Sequence, residues 1–140
     1  MFQRNLALIL LYDSKKRVLL QDRRIMSKYG EDWGYFGGKI EENETPAKAI
    51  HREIQEELEF NVKNPEYLGK YITNGFSIKK QEQHKIIQEV FVKKITMNQF
   101  KSMKLHEGAG MKWFSLSEIK KLNMKPLDPK IIDDFIKRIN

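Results

Sequence analysis

The sequence predicts an α+β fold in which a mixed β-sheet carries helices on its faces. Short apolar runs bounded by turn residues recur from Leu6 to Phe114, while three segments place apolar residues at helical spacing. The two kinds of segment are interspersed along the chain, as in an α+β sandwich. With 140 residues, no internal repeat and no Pro/Gly/Ser linker, residues 1–140 are expected to form one domain around a sound core.

The elements follow in order. Leu6–Tyr12 (LALILLY) and Arg17–Gln21 flank the turn-like DSKK and read as a hairpin. The stretch SKYGEDWGYFGGK, with four glycines and two aromatic anchors, reads as a loop. Thr45 suits a helix N-cap and Pro46 the first helical position, and the helix is expected to run to about Leu58. Strands are expected at Glu66–Thr73, Ile86–Lys94 and Met111–Phe114. SLSEIKKL (Ser115–Leu122) opens with a capping pattern and suits a short helix. DPKIIDDFIKRI (Asp128–Ile139) closes the chain as an amphipathic helix, with Ile131, Ile132, Phe135, Ile136 and Ile139 toward the core. The stretch from Thr73 to Gln83 has no evident role.

Composition excludes several classes of function. No apolar run reaches the roughly 20 residues that span a bilayer, and LALILLY, followed by charges and no small-residue cleavage site, reads as a buried strand rather than a signal peptide. The absence of cysteine excludes disulfides, thiolate metal sites and cysteine nucleophiles, which agrees with a cytoplasmic location. Asn43-Glu44-Thr45 has the spacing of a glycosylation acceptor, to which no role is given without a secretion signal. A net charge of +7 and a pI near 9.5 favour polyanionic partners, phosphorylated metabolites or nucleic acid. Its Lys-Lys pairs, at 15–16, 79–80, 93–94 and 120–121, are scattered rather than massed in a tail.

Against that charge, HREIQEELEF sets Glu53, Glu56, Glu57 and Glu59 within ten positions. Like charges at i,i+4, as Glu53 and Glu57, repel by roughly 0.2–0.5 kcal/mol. At 100° per residue, Glu57 lies about 40° to one side of Glu53 and Glu56 about 60° to the other, so the three share a face. Ala47, Ile50, Ile54 and Leu58 form a separate core stripe, while Lys48, Gln55 and Glu59 point to solvent. Three carboxylates beside a core stripe relieve their repulsion by binding a hard cation such as Mg²⁺. An ordinary solvated acidic face gives the same pattern, and periodicity does not choose between them.

The wider stretch GGKIEENETPAKAIHREIQEELEF resembles the signature of the Nudix hydrolases, Gly-x5-Glu-x7-Arg-Glu-U-x-Glu-Glu-x-Gly-U, with U a bulky apolar residue. Gly38, Glu44, Arg52, Glu53, Ile54, Glu56, Glu57 and Phe60 match eight of its nine specified positions across 23 residues. Glu59 replaces the signature glycine, which ends the helix in a left-handed conformation, so local strain or a shifted cap is expected with activity retained. Phe36 stands where many relatives place proline. VLLQDRR and EGAGMKWFSLSEI extend the likeness over most of the chain.

The resemblance implies a Nudix-type α/β/α sandwich and, in particular, a MutT-like hydrolase of nucleoside triphosphates that releases a monophosphate and pyrophosphate. An oxidised purine nucleotide such as 8-oxo-dGTP is the first substrate to test. It implies Mg²⁺ as cofactor, with Mn²⁺ as the alternative, held by Glu53, Glu56, Glu57, Glu107 and the Gly37 carbonyl. Glu53 is the first choice of base, Glu107 an additional acid, and Arg52 and Glu44 orient the site. Arg23 and Lys39 are candidate phosphate contacts and Asp128 a candidate base contact. Other substrates within this chemistry are ADP-ribose, a nucleotide sugar, a dinucleoside polyphosphate or an RNA 5′ end. A non-catalytic nucleotide sensor is a further reading, against which stands the full set of signature carboxylates. Partners are a small nucleotide, no membrane, and no nucleic acid apart from RNA 5′ ends, with the chain a monomer or homodimer. GYFGGK is no Walker A motif, because Trp33 and Ile40 occupy required positions. His51, His84 and His106 lack zinc spacing and are read as structural or surface residues.

Overall fold

A computed structural model of the chain describes residues 2–106 and 109–140. In chain order its elements are β1 (Phe2–Tyr12), β2 (Val18–Asp22), β3 (Trp33–Gly34), β4 (Phe36–Lys39), α1 (Pro46–Leu58), β5 (Glu66–Ser77) and β6 (Glu82–Lys94). After these come α2 (Met97–Ser102), β7 (Met111–Phe114), α3 (Leu116–Ile119) and α4 (Lys130–Ile139).

Strand β1 divides the molecule. Leu6, Leu8 and Leu10 enter a core with Val90, Ile131 and Phe135, while Ala7, Ile9 and Leu11 enter another with Ile50, Ile54 and Leu58. Alternate side chains of a strand face opposite ways, so a strand covered on both faces reads as one continuous apolar run. β1 pairs in parallel with β6 along its whole length, from Phe2 opposite His84 to Tyr12 opposite Lys94. Its other edge pairs antiparallel with β2 near Tyr12 and with β4 at Leu6–Ile9. β5 extends the sheet beyond β6, and β3 and β7 both pair with β2. The result is a mixed sheet with α1 on one face and α3 and α4 on the other, the expected α/β/α sandwich.

Several expectations change in detail. The hairpin of β1 and β2 forms, but β1 starts four residues early, because its polar beginning is held by the parallel partner rather than by burial. β5 and β6 run on to Ser77 and back from Glu82, so most of the stretch that had no role is hairpin. The glycine-rich loop contains two short strands, β3 and β4. Helix α2 was not expected, yet it has a full capping box in which Thr96 and Gln99 satisfy each other's backbone N–H groups. Thr45 caps α1 through the Lys48 N–H at 3.2 Å, and Ser115 and Glu118 form the expected box on α3. Ala47 is exposed, and Ala49 takes the place expected for it in the core.

Ile54 lies fully buried between α1 and the sheet. Ile54→Ala is expected to lower unfolding free energy by about 2–5 kcal/mol. Urea unfolding should show this as a lower midpoint with an unchanged slope.

Candidate active site

The loop before α1 and the second half of that helix build the site together. Gly37 and Gly38 of β4 pair with Leu8 and Ala7. Gly37 has φ +139°, and a Cβ there would lie 2.0 Å from the Ala7 carbonyl oxygen, so only glycine fits. At Gly38 a Cβ would meet the carboxylate of Glu53 at 2.5 Å, which brings α1 and β4 into direct contact. The helix thus sets Glu53 against bare backbone.

Arg52 organises the acids around it. Its Nε and Nη2 donate to both oxygens of Glu44, at 2.8 and 2.9 Å, and Nη2 also donates to the Lys39 carbonyl at 2.9 Å. Nη1 donates to Glu53 Oε1 at 2.9 Å and lies 3.5 Å from Glu56 Oε2. This bidentate ion pair, together with the Glu41 N–H, holds the Glu44 carboxyl down to about 2 from an ordinary 4.5. Glu44 first, and Glu53 after it, raise the pKa of Arg52 in turn.

The three signature carboxylates share a helix face yet differ in surroundings. Glu57 is buried, and Glu57 Oε1 accepts the Gly37 N–H at 3.2 Å while Oε2 accepts from Gln21 Nε2 at 3.4 Å. Glu53 is largely covered, and Glu56 keeps 60% of its side chain in solvent. Their depth follows from position on the helix, since Glu57 adjoins Leu58 and Ile54 in the core stripe.

Glu59 occupies the left-handed C-cap position itself, with φ +49° and ψ +40°, and its N–H bonds the Gln55 carbonyl at 3.0 Å. The cap is therefore unshifted. Its carboxylate pairs with His106, which lowers the Glu59 pKa. The same loop donates the Lys104 N–H to the Leu58 carbonyl and the His106 N–H to the Glu57 carbonyl, at 2.9 and 2.8 Å. Glu107 lies outside the described residues.

The donor set suits a hard cation. It is made of carboxylate and backbone oxygens, and a guanidinium already stands between Glu53 and Glu56. Among the described residues no three acidic or imidazole groups converge on one point. Glu53, Glu56, Glu57 and the Gly37 carbonyl are the groups that would hold such an ion.

A cleft of about 330 Å³ is lined by Gly37, Gly38 and Glu53 and by the apolar residues Ile86, Met124, Pro126 and Leu127. Both Lys39 and Arg23 line it. Arg23 lies flat over Gly34, where a Cβ would meet its Cδ at 2.6 Å, and donates to Glu31 and Gln21, each at 3.0 Å. Burial pushes the Glu31 pKa up, but the Tyr29 N–H, Ser27 Oγ and Arg23 outweigh it and hold the carboxyl low. Leu127 lines the cleft but its neighbour Asp128 does not, and Asp128 Oδ1 accepts the Lys130 N–H at 2.9 Å at the start of α4. The sequence reading passed over Arg4, Lys28, Tyr29 and Trp33, which also line the cleft. Of these, Trp33 and Tyr29 were visible only as aromatics in the glycine-rich loop, and Arg4 carried no signal.

Residues 1–135 match the model of the NUDIX domain. The chain belongs to the Nudix hydrolase family. A relative, an 8-oxo-dGTP diphosphatase of Proteus vulgaris, is 42% identical over 50 residues, 36% of this chain and 45% of that protein. The match therefore spans under half of that relative's length. In fold the chain is similar to the Escherichia coli dihydroneopterin triphosphate pyrophosphohydrolase, with a TM-score of 0.75 at 19% identity over 99% of both chains. It is equally similar to the NUDIX domain of Shewanella oneidensis NrtR complexed with ADP ribose, with a TM-score of 0.75 at 16% identity, covering 100% of this chain and 90% of that one. The Nudix-type sandwich expected from the signature is thus the observed fold.

Because the Glu44 pKa is depressed in the folded state, its ion pair stabilises the fold above about pH 4.5 and is lost as pH falls toward about 2. Glu44→Gln should therefore melt below wild type at neutral pH, and the two melting temperatures should converge over that acidic window.

Proposed function

We propose that this Nudix protein is a Mg²⁺-dependent nucleoside triphosphate pyrophosphohydrolase that releases a nucleoside monophosphate and pyrophosphate. One observation carries the reading. Glu53, on the carboxylate face of α1, lines one cleft together with the cations Arg23 and Lys39 and the apolar residues Ile86, Met124, Pro126 and Leu127. A triphosphate needs cations along its phosphates and a base needs an apolar wall, and this cleft supplies both beside Glu53. An oxidised purine such as that of 8-oxo-dGTP is the first substrate to test, supported by the partial likeness to the Proteus vulgaris protein.

In this reading Arg52 holds Glu53 Oε1, and Oε2 takes the proton of the attacking water. Glu44 fixes the guanidinium, so the carboxylate keeps its aim while substrate enters. Glu57 is tied to the Gly37 N–H, and Glu56 stands at the solvent edge. Mg²⁺ held by Glu53, Glu56 and Glu57 would neutralise phosphate charge and lower the pKa of a water. Glu107 is retained as an additional acid, Asp128 as a contact at the base end, and Arg23 and Lys39 as phosphate contacts. A cytoplasmic site of action suits a nucleotide substrate, and no described helix is long and apolar enough to cross a membrane.

The test is a nucleotide panel with Mg²⁺, with products identified by mass. Mg²⁺-dependent release of monophosphate and pyrophosphate from a triphosphate is expected, and none from any nucleotide would sink the reading. Glu53→Gln, lacking the base, should lower kcat by about 10²–10⁴-fold with little change in KM. Arg52→Lys keeps the charge but loses the planar fork, and is expected to lower kcat while binding persists.

A further inference from the structure

The stretch from Thr73 to Gln83, to which the family signature assigns nothing, forms the tip of the β5–β6 hairpin and helps to wall a second cavity, of about 390 Å³. This cavity shares Arg4, Lys28, Tyr29 and Lys39 with the catalytic cleft, so the two meet along a common wall. Beyond that wall stand Lys79, Lys80, Phe2 and His84. Its lining includes Arg4, Lys28, Lys39, Lys79 and Lys80 and, among the described residues, no aspartate or glutamate. Glu82, the nearest acid on the hairpin, lies outside the lining and is engaged by His84 Nε2 at 3.2 Å. Cations gathered in a concave site focus a positive potential there.

The hairpin tip is placed rather than loose. The Ile78 N–H donates to the Lys28 carbonyl at 3.0 Å, joining the tip to the loop on the opposite wall. Ser77 accepts the Lys80 N–H through Oγ at 3.2 Å and the Gln81 N–H through its carbonyl at 2.8 Å, which sets the turn carrying both lysines. Lys80 Nζ lies 4.6 Å from the centre of the Phe2 ring, and His84 packs on that ring at 4.7 Å. Tyr29, on the shared wall, bonds His84 Nδ1 at 3.1 Å and accepts from Arg4 Nη1 at 3.4 Å. Side chains from β1, the glycine-rich loop and the hairpin are thus held against one another around the cavity.

We propose that this second cavity is an anion subsite, continuous with the cleft, that holds phosphate groups lying past Lys39. Two sources supply that chemistry, the phosphate chain of a substrate longer than a triphosphate and a free condensed phosphate. The kinetic arm below rests on the hydrolase reading, and the binding arm does not.

In the binding arm, inorganic tripolyphosphate is titrated calorimetrically, without metal, into wild type, K79A/K80A and the charge-keeping K79R/K80R. Loss of both lysines should weaken binding by about tenfold or more. It should also make binding less sensitive to salt, and K79R/K80R should bind as wild type does. In the kinetic arm, kcat/KM for a nucleoside 5′-tetraphosphate is compared with that for the triphosphate. A tetraphosphate preference lost in K79A/K80A, with triphosphate turnover unchanged, assigns the anion to the substrate. A binding difference with an unchanged preference assigns it to a free condensed phosphate. A binding difference without turnover on any nucleotide overturns the hydrolase reading and leaves the subsite standing. Equal tripolyphosphate affinity in wild type and K79A/K80A overturns the subsite itself.

Discussion

The site depends on a single guanidinium. Arg52 donates to Glu44, Glu53 and the Lys39 carbonyl, and thereby joins the loop before α1, the helix and the end of β4. Without it, Glu53 would face the like charge of Glu57 one helical turn away and lose the guanidinium that donates to it. With it, one positive charge stands among Glu44, Glu53 and Glu56, and the acid cluster becomes compatible with a stable helix. The geometry of the fork matters as much as its charge, because Nε and Nη2 engage both oxygens of Glu44 while Nη1 remains free for Glu53. Orientation of the carboxylate proposed as base is therefore inherited from a loop residue eight positions upstream of the arginine.

Arg52 can do this only because backbone and helix touch. β1 runs between two cores, and its odd-numbered side chains anchor α1 through Ile50, Ile54 and Leu58. β4 pairs with the same stretch of β1, so α1 and β4 are positioned by one strand. Gly37 and Gly38 then remove the last obstacle, since any Cβ would strike the Ala7 carbonyl or the Glu53 carboxylate. The Gly37 N–H, left accessible, reaches Glu57. Packing, backbone conformation and carboxylate placement are consequences of one register.

What the sequence revealed follows from how local each signal was. The α1 cap at Thr45, the capping box at Ser115 and the acids of one helix face are written within a few residues of one another, and the structure reproduces them. β1 was underestimated because Phe2–Asn5 gains its partners from β6, some eighty residues away. Burial of Glu57 beside an exposed Glu56 was also not legible, because it depends on Gln21 and Gly37 as much as on helical angle. The cleft's cationic wall combines Arg4, Arg23, Lys28 and Lys39 from three separate segments, and no spacing rule joins them. Resemblance to the signature thus located the acids, and only the fold located the surface they face.

Glu59 shows how a motif residue can be replaced without losing its geometry. A left-handed C-cap favours glycine because a side chain there crowds the backbone. Here the chain adopts the conformation regardless and gains other partners for the helix end. The Lys104 and His106 N–H groups take the carbonyls of Leu58 and Glu57, which a helix terminus otherwise leaves to water. The Glu59 side chain, which glycine would lack, pairs with His106 and fastens the same loop a second time. Since the loop grips the Glu57 carbonyl, it also helps fix the residue whose carboxylate lies deepest in the site. The substituted position exchanges backbone freedom for a tether, and the tether ends on the helix turn that carries the chemistry.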